Sequence, residues 1–100
     1  MVKHIILWNL KDEFSDAAKA TIKENAKKAL EGLVGEVPGL LDLKLQISCM
    51  ESSNVDMMLD STLESAEVLK AYAVHPKHVQ AADEFVRPFT SARYCIDYEI

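Results

Sequence analysis

Residues 2–10 alternate in a way that narrows the choice of fold more than any other segment. His4, Ile6, Trp8 and Leu10 fall on one side of an extended chain, and Lys3, Ile5, Leu7 and Asn9 on the other. This is the two-residue period of a β-strand. Large apolar groups stand on both sides, so both sides call for cover. A strand of that kind belongs in the middle of a sheet. The chain has only 100 residues, enough for one domain with a modest core.

The rest of the chain supplies the partners. Residues 15–34 carry Ala18, Ile22, Ala26, Ala29, Leu30 and Leu33 at steps of three and four, the spacing of an amphipathic helix. Ser15 is placed to cap it, and Asp16 suits the positive end of its dipole. Gly35 and Pro38-Gly39 mark the stop and the turn. Residues 40–50 alternate again, with Leu41, Leu43, Leu45, Ile47 and Cys49 on one face and Asp42, Lys44, Gln46 and Ser48 on the other. One wet face suits an edge strand. Residues 51–54 are polar and suit a hairpin loop. Residues 55–63 form a third strand, with Met57, Leu59, Ser61 and Leu63 opposite Asp56, Met58, Asp60 and Thr62. Residues 65–74 read as a helix with Ala66, Leu69 and Tyr72 or Ala73 inward. His75-Pro76 interrupts it, because proline disfavours helical angles before it and favours a new first turn. Residues 76–87 make the next helix, with Val79, Ala82, Phe85, Val86 and Phe89 on one stripe, and residues 92–99 a last strand.

The order is therefore βαββ, a broken helix, then β, within a single domain over residues 1–100. Two right-handed crossovers in one sheet give an α+β, ferredoxin-like arrangement with strand order 4-1-3-2. The helices cover one face of that sheet. Ile5, Leu7 and Met58 lie at the centre of the other, and an uncovered apolar patch usually marks an interaction site. A second copy related by a two-fold axis is the simplest cover, so a homodimer is expected.

Composition excludes several partners. Hydrophobic residues make up 49% of the chain, and its formal charge is −5, from 16 acidic and 11 basic residues. Phosphate binding needs a clustered basic excess. Lys27-Lys28 is the only basic pair and reads as a solvated helix face, so no nucleic-acid partner is expected. No apolar run approaches the roughly 18 residues of a membrane span. The first residues lack a cleavage signal, and Cys49 and Cys95 make no disulfide framework. A cytoplasmic protein with reduced thiols, without a membrane partner, is the expectation.

The chemistry concentrates in Tyr72-Ala73-Val74-His75-Pro76-Lys77-His78-Val79, a phenol and two imidazoles around a helix break. The third histidine, His4, falls on the strand face assigned to the helices. An imidazole exchanges a proton near neutral pH, and a phenol can hold a carbonyl or enolate oxygen. Structural roles compete at every position. His75 suits a helix cap, Tyr72 a core aromatic, His78 a backbone-bonded imidazole and His4 a packed core residue. His75-x-x-His78 with His4 also has the look of a metal site, but no carboxylate or cysteine has a clear place beside it. No metal or cofactor is therefore assigned. No glycine-rich phosphate loop and no CxxC, HExxH or GxSxG string is present. Ile6, Trp8, Met57, Leu59, Phe85 and Phe89 would line the gap between sheet and helices. The alanines of the first helix would either widen that gap or let the helix sit closer.

Val2-Lys3-His4-Ile5-Ile6-Leu7-Trp8, Pro38-Gly39-Leu40, Leu63-Glu64-Ser65, the Tyr-x-x-His-Pro-x-His string at 72–78 and Asp97-Tyr98 together resemble the stress-responsive α/β-barrel (Dabb) family. The resemblance runs from residue 2 to residue 98. It implies a ferredoxin-like chain whose dimer closes an α+β barrel. Many members have no assigned reaction. One plant member closes a linear polyketide by aldol condensation without metal or cofactor, and its functional tyrosine and histidines correspond to Tyr72, His78 and His4. The resemblance would thus make His78 a general base and Tyr72 a carbonyl-orienting group. Its substrate-wall aromatics are replaced near Ile22, Lys23 and Ala26, and a histidine by Met57, so its specificity does not transfer. Three readings stand: a dimeric small-molecule-binding protein without turnover, a cofactor-independent enzyme acting on a hydrophobic carbonyl compound, and a flavin-free monooxygenase-like barrel with no supporting residue beyond the fold.

Overall fold

A computed structural model describes every residue from Met1 to Ile100. Its strands are β1 (Val2–Leu10), β2 (Leu40–Gln46), β3 (Met57–Leu63) and β4 (Thr90–Glu99). The helices are α1 (Asp16–Glu31), α2 (Ala66–Val74) and α3 (Pro76–Phe85), and a single 3-10 turn at Arg87–Phe89 leads into β4. The sheet is antiparallel and ordered β2-β3-β1-β4, the ferredoxin-like topology expected from the sequence. β1 and β3 are the two inner strands, each paired along both edges. β1 pairs with β3 through Ile6↔Leu59 and Leu7↔Met58, and with β4 through His4↔Asp97 and Ile6↔Cys95.

The core lies between the sheet and the helices. Ile6, Trp8 and Leu10 from β1, Leu43 and Leu45 from β2, and Met57, Leu59 and Leu63 from β3 meet Ile22, Ala26, Leu30 and Leu33 from α1 and its C-terminal extension. Each such aliphatic side chain contributes about 1.5–3 kcal/mol on burial. The one buried polar residue among them, Ser61, donates its hydroxyl to the His4 carbonyl at 2.8 Å. Ser15 caps α1 by accepting from the Ala18 N–H at 3.1 Å. At the other end of α1, the Glu31 carboxylate accepts from the Leu45 N–H at 3.0 Å and from Lys27 at 2.7 Å. That contact occupies an N–H of edge strand β2, which would otherwise be open to another strand.

Some sequence-based boundaries and faces shift. β2 ends at Gln46 rather than residue 50, and Cys49 and Met50 are exposed. Leu41 was expected on the core face, but the ladder shifts register between Leu40 and Asp42 and leaves it outside at 45% exposure. A bulge reverses the parity of residues ahead of it, so Leu40 is buried in its place. Ala66 is exposed rather than inward, because it stands in the first turn of α2 on the outer side. α3 stops at Phe85, where Val86 leaves helical geometry ahead of Pro88. Of the alanines on the inner stripe of α1, Ala26 is wholly buried and Ala18 and Ala29 are half-buried.

Gly39 makes the turn into β2 at φ 82°, and a β-carbon there would sit 2.6 Å from a methyl of Val68. Gly35 has φ 89° with open space around it. Gly39→Ala combines a left-handed backbone penalty with overpacking and should cost about 2–4 kcal/mol. Gly35→Ala bears only the first and should cost about 1–2 kcal/mol. Urea unfolding of the two variants checks the difference, which vanishes if Val68 moves aside freely.

Candidate functional site

The site is built around the end of one helix and the start of the next. α2 closes at Val74. His75 takes an extended conformation, φ −64° and ψ 132°, and serves both helices as a cap. Its Nδ1 accepts from the Lys77 N–H at 3.1 Å. An unbroken helix would have sent that N–H to the Ala73 carbonyl, which is one of the acceptors a helix end leaves free. His78, in the first turn of α3, fills the gap: its Nδ1 lies 3.1 Å from the Ala73 oxygen. A carbonyl only accepts, so Nδ1 carries the proton and donates. Nε2 is left as the lone-pair nitrogen.

The same break stacks His78 over Tyr72, with ring centroids 4.3 Å apart and planes tilted by 37°. Tyr72 also makes a T-shaped contact with His4, with ring centroids 6.0 Å apart. His4 reaches the helices because β1 alternation puts it on the face of Ile6 and Trp8. Its Nδ1 stands 2.5 Å from Asp97 Oδ1 on the neighbouring β4, which orients the ring. Tyr72 is 1% exposed, and its hydroxyl is buried without a hydrogen-bond partner in the protein. An orphaned group of this kind costs about 1–3 kcal/mol and makes a ready donor for a ligand oxygen.

His4, Tyr72 and His78 line one cavity of about 140 Å³, with Ile6, Trp8 and Leu59 from the sheet, Leu30 from α1, and Leu69, Ala73, Ala82 and Val86 from the α2–α3 side. Arg87, Thr90 and Arg93 complete the wall. A cavity of this size accepts about one aromatic ring. Burial holds the His78 imidazole below its ordinary 6.5, against the opposing effect of the Ala73 hydrogen bond and with smaller pushes from Arg87, His4 and Arg93. His78 is therefore neutral at pH 7. Burial pushes the Tyr72 phenol up to about 12, so it keeps its proton. The pair comprises a neutral base and a neutral donor.

Three residues expected in the wall lie elsewhere. Met57 is fully buried in the core away from the cavity. Phe85 faces α1 beside Asn25, Lys28 and Ala29, because α3 ends there and turns its last residue outward. Phe89 packs edge-on against Phe14 at 5.8 Å, drawn aside by the 3-10 turn. His75 also stays out of the His4–Tyr72–His78 group, since its ring is engaged in capping. The sequence reading missed Arg87, Thr90 and Arg93, for the turn that aims them has no periodic signature. It also missed a carboxylate and a thiol beside His4. Donor atoms of His4, Cys95 and Asp97 lie within 4.8 Å of one another and are the groups here best suited to a metal ion. Burial and then Asp97 raise the Cys95 thiol above its usual value, which keeps it from acting as a nucleophile near neutral pH.

The family model for the stress responsive A/B barrel domain, Dabb, matches residues 2–100. The chain belongs to that family. Among its relatives, the olivetolic acid cyclase of Cannabis sativa is 29% identical over 97% of this chain and 94% of its own. A stress-response A/B barrel domain-containing protein of Arabidopsis thaliana is 31% identical, and this chain spans only 36% of its length. Among solved structures, a dimeric ferredoxin-like protein of unknown function from Bacteroides fragilis is 27% identical and superposes with a TM-score of 0.92 over 99% of this chain and 95% of that one. The hydroxynitrile lyase of Passiflora edulis, 18% identical with a TM-score of 0.73 over 99% and 92% of the two chains, shares the fold.

The depressed His78 value has a consequence for folding. Between that value and 6.5, the unfolded chain binds a proton that the folded chain does not. This contribution to stability is whole above pH 6.5 and is lost as pH falls through the folded value. Urea midpoints across pH 5–8 should therefore fall on the acid side more steeply for the natural chain than for His78→Gln. Parallel profiles would show that burial of His78 carries no such penalty.

Proposed function

We propose that this Dabb chain works as a homodimer that admits a small, largely apolar carbonyl compound to the cavity and moves a proton on it. His78 is the base and Tyr72 the hydrogen-bond donor. One observation carries the reading: the Ala73 carbonyl holds His78 in the tautomer whose Nε2 is free, directly over a buried tyrosine whose hydroxyl has no partner. A C–H bond beside the carbonyl breaks and its proton passes to Nε2. The electron pair forms the C=C bond of an enolate, and the carbonyl pair moves onto oxygen. Tyr72 donates to that oxygen, and positioned donors of this kind act most strongly where water is excluded. Return of the proton, or attack of the enolate carbon on a second carbonyl, completes an enolisation or an aldol closure. The full-length likeness to a cyclase supports this class of chemistry.

Dimerisation is supported by the other face of the sheet. Ile5, Leu7 and Met58 stand there half-buried, beside Tyr94, Ile96 and Tyr98, which β4 leaves exposed. The dimeric state of the Bacteroides fragilis neighbour agrees. Ile96 is 60% exposed in the single chain, so Ile96→Asp should leave folding intact. Sedimentation should find a dimer for the natural chain and a monomer for Ile96→Asp. A natural chain that sediments as a monomer at micromolar concentration would refute the assembly.

Proton transfer is tested by NMR in deuterated water with a panel of aryl and medium-chain methyl ketones. The protein should accelerate exchange of the protons beside the carbonyl. His78→Ala should slow it by about 10²–10⁴, and Tyr72→Phe by about 10². The rate should rise through the depressed His78 value, level off by about pH 6.5, and stay level until the Tyr72 phenol ionises near 12. Ketones that bind without exchange would leave a binding protein without turnover.

A further inference from the structure

We infer that the molecule taken by this cavity carries a carboxylate, held at the rim by Arg93 with help from Arg87; the inference rests on the reading of the cavity as a ligand site and names the class of ligand. The chain has only two arginines, and both line the cavity. Its other nine cationic side chains are lysines, and none of them does. Although acidic residues outnumber basic ones 16 to 11, no Asp or Glu is in the wall. Its polar groups are His4, Tyr72, His78, Arg87, Thr90 and Arg93. Arg93 stands opposite Trp8 in the β1–β4 ladder, on the face turned to the helices, and Arg87 lies in the 3-10 turn above.

The two cations differ in what already holds them. Arg87 pairs with Asp83 one turn back along α3. No carboxylate lies within ion-pair distance of Arg93. The rim thus offers one unneutralised guanidinium and one partly neutralised, which suits a single negative charge. A guanidinium presents a planar fork of donors that matches a carboxylate in two parallel hydrogen bonds, whereas an ammonium is a point charge. Below the rim, Ile6, Trp8 and Leu59 make an apolar floor in a space of about one ring. An aryl or short alkyl carboxylate fits both parts: ring or chain on the floor, anion at the rim. Bound there, the anion would offset the charge with which both arginines oppose protonation of His78.

Titration of the full-length protein with para-ethylbenzoate, its matching benzamide and phenyl phosphate tests this by calorimetry and by the NMR signal of the His78 ring. The benzoate should bind about tenfold more tightly than the benzamide at low salt, with the preference shrinking as salt rises. Benzoate should also raise the pH at which His78 titrates, and the amide should not. Arg93 is exposed, so Arg93→Gln should fold normally and bring benzoate down to the affinity of the amide. Equal affinities in the natural protein, or a benzoate preference that survives both Arg93→Gln and Arg87→Gln, overturns the carboxylate while leaving the cavity a ligand site. Tighter binding of phenyl phosphate overturns it in favour of a doubly charged anion. Absence of binding by all three compounds at millimolar concentration overturns this inference together with the cavity reading it rests on.

Discussion

The burial of one side of β1 and β3 against the helices governs everything else in this molecule. Ile6, Leu59 and Leu63 from the inner strands, with Leu30 of α1, are almost wholly removed from water. A slip of one residue in either ladder would turn that entire set outward. The apolar layer therefore sets the register. The register in turn places His4 on the helix side and opposite Asp97, and places Arg93 opposite Trp8. The polar groups of the site are passengers on an alternation maintained by hydrophobic burial.

The helix break adds what alternation cannot. His75 and Pro76 end one helix and begin another, and the Lys77 N–H is diverted to the His75 ring. This leaves a backbone acceptor that His78 satisfies. Two imidazoles three residues apart thus have distinct tasks, one closing the helix junction and the other left with a free nitrogen over Tyr72. The same geometry that completes the backbone hydrogen bonding also fixes the tautomer of His78.

Charge is distributed to the same end. The chain is acidic overall, yet its cavity wall is lined by cations, imidazoles, hydroxyls and apolar groups without a carboxylate. Asp97 touches His4 from outside that wall. The field at His78 is thereby positive, and burial acts in the same direction. Both keep the imidazole neutral. On the reverse of the sheet the pattern is apolar and aromatic, with exposed Tyr94, Ile96 and Tyr98 extending the patch of Ile5, Leu7 and Met58. The single chain is therefore polar where a ligand oxygen would meet it and apolar where a second copy would.

Much of the fold was legible in the sequence, because residue period, capping residues and the His75-Pro76 break are local signals that backbone geometry obeys. The strands, the helices, their order and the face on which His4 sits all follow from such signals and from the handedness of crossovers. The gathering of His4, Tyr72 and His78 was readable as far as the face and the helix break place them. Other features were decided by packing. Leu41 left the core because a bulge absorbs one residue, and no periodicity announces where. Phe85, Phe89 and Met57 have the right residue type for a cavity wall, but the termination of α3 and the following turn send the two phenylalanines elsewhere, and dense packing seals the methionine. Arg87, Thr90 and Arg93 come to the cavity through that same turn and a long-range strand pairing. The sequence by itself determined which side of each element is apolar, since that depends only on spacing along the chain. Which side chains share the cavity was decided by the tertiary structure, since that depends on where separate elements stop and how closely they approach.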